Sequence, residues 1–410
     1  MSEGARSKRF KFSSILKVLF ALALLAWVAN GLDWRDKLEL WAVPQVASLR
    51  TLEAPGSLEG NWREEALAFR FSKEQTLGPE WPETAIAAQA ADTPLAIERR
   101  TEGGPGYDWR PGMPRVFLDL QGHGLAFAMA SLIAGLLCGV TRWWRILALA
   151  GCPTSWWTTL RLAFLGVFFN LVMPGLTGGD LPKAVLAVRE HPDRRADALA
   201  TVVIDRMVGL WALVLVATGI IWSIGGGFQP LKIPSLAVSI GVTVGMFFVL
   251  SPGPRRALGI DRLLEKLPQG QRLKKLEESA TLFQNKPFEL ILALLLSSGN
   301  HFAVIAAVYA IGDAFGASLE FSAYVGIVPV ANLISAIPIS PSGWGVGEAA
   351  FKQLFLMMGS TAALGVAVSL TYRLCNLFLG LLGGLSLLFP GGAEVRREAR
   401  KISESSESGG

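Results

Sequence analysis

The sequence is poor in charged residues, cysteine and histidine. Only 17% of its 410 residues are charged, whereas a soluble globular chain carries about a quarter. The three cysteines lie in apolar stretches without paired spacing, and the three histidines are scattered along the chain. We therefore predict no disulfide, no metal site and no cofactor. The sequence also lacks the Gly-x-x-x-x-Gly-Lys-Ser/Thr motif of ATP-binding loops, so we expect any transport to be passive or ion-coupled.

Long apolar segments are what the sequence has instead. Hydrophobic residues make up 51% of the chain, and several windows approach the roughly 20 apolar residues needed to cross a bilayer. We predict an all-α polytopic membrane bundle. The net charge of +5 fits basic cytoplasmic loops better than nucleic-acid binding, and we expect no nucleic acid as a partner.

The region before the main apolar windows differs from the rest. A basic stretch at 1–12 precedes a first transmembrane helix at 13–32, which we predict is retained, with a cleaved signal peptide as the alternative. Between 31 and 120 there are 15 acidic and 10 basic residues. Because basic residues favour the cytoplasm, we predict that 1–12 is cytoplasmic and that 33–118 is a small extracytoplasmic insertion. It is interpreted as a connecting domain, a lid, or a surface for a membrane or periplasmic protein partner.

The remaining apolar windows and the charges between them predict a topology. The windows are 121–141, 146–174, 198–224, 233–251, 287–312, 319–339 and 359–389. The loop at 252–286 holds eight basic and four acidic residues, and 391–410 starts basic, so both are predicted to be cytoplasmic, the latter as a disordered tail. This pattern is consistent if about 146–180 and 319–358 each enter and leave on one face. We predict about six full spans, the first of them at 13–32, and two re-entrant hairpins in inverted repeat within 119–390, in a plasma membrane with both termini cytoplasmic.

Two polar signatures interrupt the windows in matching places. The first contains Asn170, Pro174, Gly178, Gly179 and Asp180, and the second contains Asn332, Pro338, Pro341, Gly343, Gly345, Gly347 and Glu348. Broken backbone within a bilayer is tolerated only beside protein or a water-filled cavity, and paired breaks indicate a transport site. Each carboxylate is followed by an arginine within an apolar window, Arg206 after 26 residues and Arg373 after 25.

These features predict a substrate-binding set and no catalytic or metal residues. The set is Asn170, Asp180, Asp205, Arg206, Asn332, Glu348 and Arg373. We expect the arginines to bind a phosphate and the acidic residues to bind an amino group or orient the arginines. The structural alternative is that the ion pairs tie helices together, that Asp180 caps a helix and that the asparagines bond the broken backbone. Trp143, Trp144, Trp156 and Trp157 are interpreted as an interfacial belt.

The two signatures resemble those of the lysylphosphatidylglycerol synthase transmembrane region family, which contains flippase-like membrane proteins. The resemblance covers roughly 121–390, and the stretch Pro341-Ser-Gly-Trp-Gly-Val-Gly-Glu348 is its most specific part. It implies movement of a membrane lipid between leaflets. No synthase domain follows the last apolar window, so the enzymatic activity in the family name is not expected here.

The hypothesis is a flippase-like transporter of a lipid or lipid-linked headgroup, with a membrane lipid as its substrate. An alternative is a membrane-embedded transferase or accessory subunit that acts on a lipid-linked substrate. It would need a carboxylate near the membrane in the insertion, such as Asp33, Asp36 or Asp119. A weaker alternative is a solute transporter with a closed cavity at the midplane.

Overall fold

The computed structural model describes most of the apolar part of the chain and most of the insertion. The described residues are 22–23, 26–30, 32–41, 51–100, 106–172, 180–223, 226–250, 283, 286–335 and 344–385. Residues 22–23 and 26–30 are helical, as predicted for the first transmembrane helix at 13–32, and the rest of that segment lies outside the described residues.

The region predicted as an insertion folds around an antiparallel sheet and is here called the N-terminal module (33–118). Its strands are β1 (Asp36–Trp41), β2 (Thr51–Glu59), β3 (Ala66–Phe71), β4 (Leu95–Glu98) and β5 (Gly106–Arg110), in the order β4-β3-β2-β1-β5. Helix α1 (Glu83–Ala91) lies between β3 and β4 in sequence, and α2 (Met113–Leu118) follows β5. The sheet corrects the all-α fold class that the sequence predicts. Buried and more exposed side chains alternate along β3, with Leu67, Phe69 and Phe71 buried on one face. This alternation is typical of a strand covered on one side.

One buried carboxylate ties the parts of this module together. Asp36 accepts hydrogen bonds from the backbone N–H groups of Leu58 (2.8 Å) and Gly112 (2.7 Å). It also forms an ion pair with Arg115, whose Nε lies 2.9 Å from Oδ2. Asp36 therefore joins β1 to β2 and to the start of α2, and its charge is compensated by three donors.

Five described helices are long and apolar enough to cross a membrane. They are α3 (Gly122–Leu149), α6 (Arg195–Ser223), α7 (Lys232–Leu250), α8 (Pro287–Ala314) and α11 (Ala362–Leu385). Short 3₁₀ turns at Pro192–Arg194 and Gly226–Leu231 precede α6 and α7. Each long helix overlaps one of the full spans predicted after the insertion, which confirms a polytopic, mostly helical membrane protein.

Four shorter helices are α4 (Trp156–Val172), α5 (Asp180–Glu190), α9 (Phe321–Ser335) and α10 (Val346–Met357). Three of them lie in the two regions predicted to be re-entrant, and α5 begins where the first of these regions ends. The longest of them, α4, has 17 residues and so a length of about 26 Å, less than the roughly 30 Å hydrocarbon core. Helix α3 ends at Leu149, and Gly151, which follows it, has a φ of +69°, which favours glycine.

Small residues allow the helices to pack closely. Gly124 of α3 faces the backbone carbonyl of Ala310 in α8, and Gly380 of α11 faces the backbone of Val167 in α4. Such contacts are the usual basis of helix packing in a bilayer, where lipid removes the hydrophobic drive for helix association. The last long helix is thus packed directly against a short helix from the first interrupted region.

The N-terminal module is attached to the helical part through α8. Arg63 Nη2 donates to the backbone carbonyls of Ala314 (3.0 Å) and Asp119 (2.9 Å). The Phe117 ring packs edge-on against Phe315, with ring centroids 5.4 Å apart. Since the carbonyls at a helix C-terminus have no partner within the helix, Arg63 caps α8 from the module.

Candidate functional site

A cavity of about 320 Å³ lies among α4, α9, α10 and α11. It is lined by Val167, Asn332, Ser335, Trp344, Gly347, Phe351, Ser369, Tyr372, Arg373, Asn376 and Leu377. Three predicted site or break residues are in this lining: Asn332, Gly347 and Arg373. Because Val167 comes from α4 and Gly347 from α10, the cavity lies where the two interrupted regions of the sequence meet.

The charged group of the cavity is the Arg373 guanidinium, which forms an ion pair with Glu348. The Glu348 side chain has 0% of its surface exposed, and that of Arg373 has 16%. Arg373 contacts Glu348 Oε1, while Glu348 Oε2 accepts a hydrogen bond of 2.6 Å from the backbone N–H of Gly345. Both oxygens of Glu348 therefore serve the protein, and the geometry favours an orienting role over contact with a substrate amine.

The glycines of the second signature make this arrangement sterically feasible. Gly345 precedes the first residue of α10 and has a φ of +80°, in the region where side chains cause strain. A Cβ added to Gly347 would overlap the Arg373 guanidinium and lie 3.1 Å from Ser335 Oγ. Glycine at 347 thus leaves the space that the arginine occupies. Pro338, Pro341 and Gly343 lie outside the described residues.

Helical spacing brings several polar groups to one face of α11. Ser369, Arg373 and Asn376 are three or four residues apart and so lie on the same face, and all three line the cavity. The Trp344 ring, just before α10, covers Arg373, with the guanidinium carbon 5.0 Å from the ring centroid. A planar guanidinium held by a carboxylate and stacked on an indole is well suited to bind phosphate.

The first signature also places its carboxylate at the start of a helix and beside its predicted arginine. Asp180 is the first residue of α5, and its Oδ2 lies 3.6 Å from Arg206 Nε. The Arg206 side chain is 59% exposed, so this pair is much more open than the one at Glu348. Pro174, Gly178, Gly179 and the side chain of Asn170 lie outside what the structure describes.

Asp205 is buried in a separate ion network. Its Oδ1 lies 2.8 Å from Arg142 Nε and its Oδ2 lies 3.0 Å from Lys183 Nζ. Arg142 also donates to Ser297 Oγ at 2.6 Å. The network joins α3, α5, α6 and α8, and both oxygens of Asp205 are occupied, which suits a structural tie between helices.

The network contains two residues that sequence reasoning missed, Arg142 and Lys183. The charge pattern places both at the cytoplasmic surface, but their side chains are only 10% and 13% exposed. The apolar residues at 146–149 indicate that the helix continues past Arg142, and α3 does extend through Arg142 to Leu149. The belt interpretation is wrong for Trp143, which has no exposed surface and lies under Lys183 with the ammonium 3.9 Å from its ring centroid. Trp157 is 74% exposed, as expected for a belt residue.

Two of the three carboxylates named for a transferase, Asp33 and Asp36, are committed to other contacts. Both oxygens of Asp36 are occupied within the N-terminal module, and Asp33 pairs with Lys37 at 2.7 Å. Within the described ranges, no group of three or more His, Cys, Asp or Glu side chains could hold a metal ion. The three cysteines are unpaired.

Several apolar spans around a partly buried, charged cavity define a multi-pass helical membrane protein. The chain belongs to the family described as the lysylphosphatidylglycerol synthase TM region, whose model matches residues 114–384. This confirms the resemblance seen in the two signatures. A UPF0104 membrane protein of Pyrococcus horikoshii is 23% identical over 309 residues, which cover 68% of this chain and 92% of that relative. No solved structure matches the chain significantly. The matched residues contain both signatures and almost none of the N-terminal module.

Proposed function

We propose that this protein moves a membrane lipid between leaflets, with the lipid headgroup passing through the cavity that contains Arg373. The observation that carries the proposal is an arginine oriented by the buried carboxylate Glu348 inside a cavity lined by both interrupted regions. A buried ionisable group within a membrane segment is costly and usually marks a substrate path. The acyl chains stay in the bilayer while the headgroup crosses.

The proposed architecture is a pair of re-entrant hairpins that enter from opposite faces and are related as an inverted repeat. Two observations support it. Over their described residues, α4 and α9 are each shorter than a helix that crosses a typical bilayer. In addition, both halves contain a carboxylate at a helix start paired with an arginine in the following long helix, at 180/206 and at 348/373. The N-terminal module then lies outside the cytoplasm, and both termini lie inside in a plasma membrane.

The predicted site residues take different roles in this mechanism. Arg373 binds the phosphate, Glu348 orients it, and Asn332 contacts the polar part of the headgroup. Arg206, which is exposed and only loosely paired with Asp180, offers a second phosphate contact near the other break. Asp205 pairs with Arg142 and Lys183. It does not contact the headgroup in this mechanism and contributes by holding together the helices that carry these residues.

Leaflet exchange in reconstituted vesicles tests the proposal. Fluorescent phospholipids in the outer leaflet are bleached by dithionite, so exchange is seen as an additional bleachable fraction. Hydrogen bonds to a charged group contribute about 1.5–3 kcal/mol, so Arg373→Ala should slow exchange by roughly tenfold to a hundredfold. Arg373→Lys keeps the charge and loses the planar fork, and we expect an intermediate rate.

The matched control is Arg145→Lys, because Arg145 pairs with Glu289 and does not line the cavity. It should leave the rate unchanged. Wild-type protein that exchanges no phospholipid, or Arg373→Ala protein that is folded and as fast as wild type, would remove the basis of the proposal.

A further inference from the structure

The lining of the cavity is asymmetric in charge. Eleven described residues line it; of these, Arg373 is the charged one, and none is acidic. A headgroup that enters therefore meets a guanidinium and neutral polar groups. A binding site for an ammonium would be expected to present a carboxylate or an open aromatic face.

Glu348 does not supply the missing negative charge. It has no exposed surface, and its two oxygens are occupied by Arg373 and by the backbone N–H of Gly345. The Trp344 ring does not supply a cation site either, since the Arg373 guanidinium already stacks on it. An ammonium in the cavity would thus lie near the Arg373 guanidinium without a carboxylate to bind it among the described lining residues, which is electrostatically unfavourable.

The neutral groups of the cavity are suited to hydroxyls. The Asn332 amide lines the cavity, and an amide can both donate and accept hydrogen bonds. The Ser335 hydroxyl donates to the carbonyl of Ala331 at 2.7 Å, and the Asn376 amide donates to the carbonyl of Tyr372 at 2.8 Å. Each retains an oxygen that can accept a hydrogen bond from a ligand hydroxyl.

The size of the cavity limits the headgroup. Its volume of about 320 Å³ is near the lower end of the roughly 300–1,000 Å³ found for small-molecule sites. A volume of this size has space for a phosphate with one small polyol.

From the charge, the hydrogen-bonding groups and the volume, we infer that the cavity selects a phosphodiester headgroup that has hydroxyls and no ammonium, of the phosphatidylglycerol type. This inference rests on the proposed function and specifies its substrate class. It predicts discrimination against a headgroup esterified with lysine, which has added positive charge. The selection arises from Arg373 and from the absence of an acid among the described lining residues.

Binding of short-chain lipids to the purified protein tests the inference independently of transport. Dihexanoyl forms of phosphatidylglycerol, phosphatidylethanolamine and lysylphosphatidylglycerol are titrated in detergent, and the shift in melting temperature gives the affinity of each. We expect phosphatidylglycerol to bind on the order of tenfold more tightly than either amine-containing lipid, as one charge-assisted interaction would produce. Glycerol 3-phosphate and inorganic phosphate are titrated in parallel to separate a lipid from a soluble phosphate ester.

A substitution that adds a negative charge to the lining tests the selectivity more directly. Asn332→Asp adds a carboxylate with nearly the same shape, and it should shift the preference toward the lysyl lipid by about tenfold. Asn332→Leu, which removes the amide without adding charge, is the matched control and should weaken both lipids without reversing their order.

The outcomes separate the two proposals. Equal affinity for the three lipids, or a preference for an amine-containing one, overturns the inference even if leaflet exchange depends on Arg373. Binding of glycerol 3-phosphate as tight as that of the lipid overturns the assignment to a lipid. Selective binding of phosphatidylglycerol without any leaflet exchange supports the inference and contradicts the proposed function.

Discussion

The Arg373 guanidinium contacts one oxygen of the Glu348 carboxylate, which has no exposed surface. The other oxygen of Glu348 accepts a hydrogen bond from the backbone N–H of Gly345. Removing one partner of a buried ion pair leaves a charge without compensation, which costs about 3–5 kcal/mol. Glu348→Gln should therefore lower the free energy of unfolding by about this amount.

The double variant Glu348→Gln/Arg373→Gln tests whether the loss comes from the unpaired charge. Since no charge is then buried alone, it should be more stable than Glu348→Gln, with a coupling of a few kcal/mol in a double-mutant cycle. Unfolding in mixed micelles, followed by circular dichroism, gives the four stabilities. Additive losses would show that the two side chains do not act as a pair.

Gly347 is predicted to matter for function more than for stability. A methyl group at this position overlaps the Arg373 guanidinium, the end of a long side chain that can move away. Gly347→Ala should thus displace the arginine and slow leaflet exchange about tenfold, with a stability change below about 1.5 kcal/mol. Gly241→Ala in α7 is the control, because nothing lies within 4 Å of a Cβ there. Equal exchange rates for the two variants would contradict the proposed position of Arg373.

The two arginines of the first half should differ in their contribution to stability. Arg142 is buried with Asp205 and Ser297, so Arg142→Ala leaves Asp205 undercompensated and should cost about 3–5 kcal/mol. Arg206 is largely exposed and 3.6 Å from Asp180, so Arg206→Ala should cost at most about 1 kcal/mol. The measurement is the same unfolding assay, and a larger loss for Arg206→Ala than for Arg142→Ala would contradict the described burial.

Arg63 should determine how firmly the N-terminal module is attached. It donates to the Ala314 carbonyl at the C-terminus of α8, which also accepts from the backbone N–H of Gln121, so its loss should cost about 1.5–3 kcal/mol, the usual contribution of a hydrogen bond from a charged group. Arg63→Ala should speed amide hydrogen exchange near Phe315 and proteolysis around Asp119. Arg70→Ala is the control, since Arg70 pairs with Glu59 inside the module and should leave exchange at Phe315 unchanged.

Parts of the fold and site with a strong periodic or compositional signal could be predicted from sequence. The five long helices follow from apolar length alone, although α3 continues to Leu149, past the end of the window 121–141 that predicted it. The pairing of Asp180 with Arg206 and of Glu348 with Arg373 follows from the similar spacing within the two halves. The similarity of the two signatures supplied that information, because each could be compared with the other.

Other parts depended on contacts that are distant in sequence. Arg142 and Lys183 look like loop residues because their partner, Asp205, comes later in the chain and on another helix. The sheet of the N-terminal module was missed although Ala66–Phe71 alternates in the manner of a strand, because short strands separated by turns give a weak signal. Glu348 accepts a hydrogen bond from the backbone N–H of Gly345, and this contact depends on the positive φ of Gly345. No sequence pattern specifies that angle.

Glu348 links the start of helix α10 to the charged side chain of Arg373, and this link couples their movements. The first turn of α10 and the position of the guanidinium share a single carboxylate. A movement that unwinds this turn would release Arg373 at the same moment, and rewinding it would draw the side chain back. A single conformational change would then both open the cavity and release the bound headgroup, with no separate trigger for each.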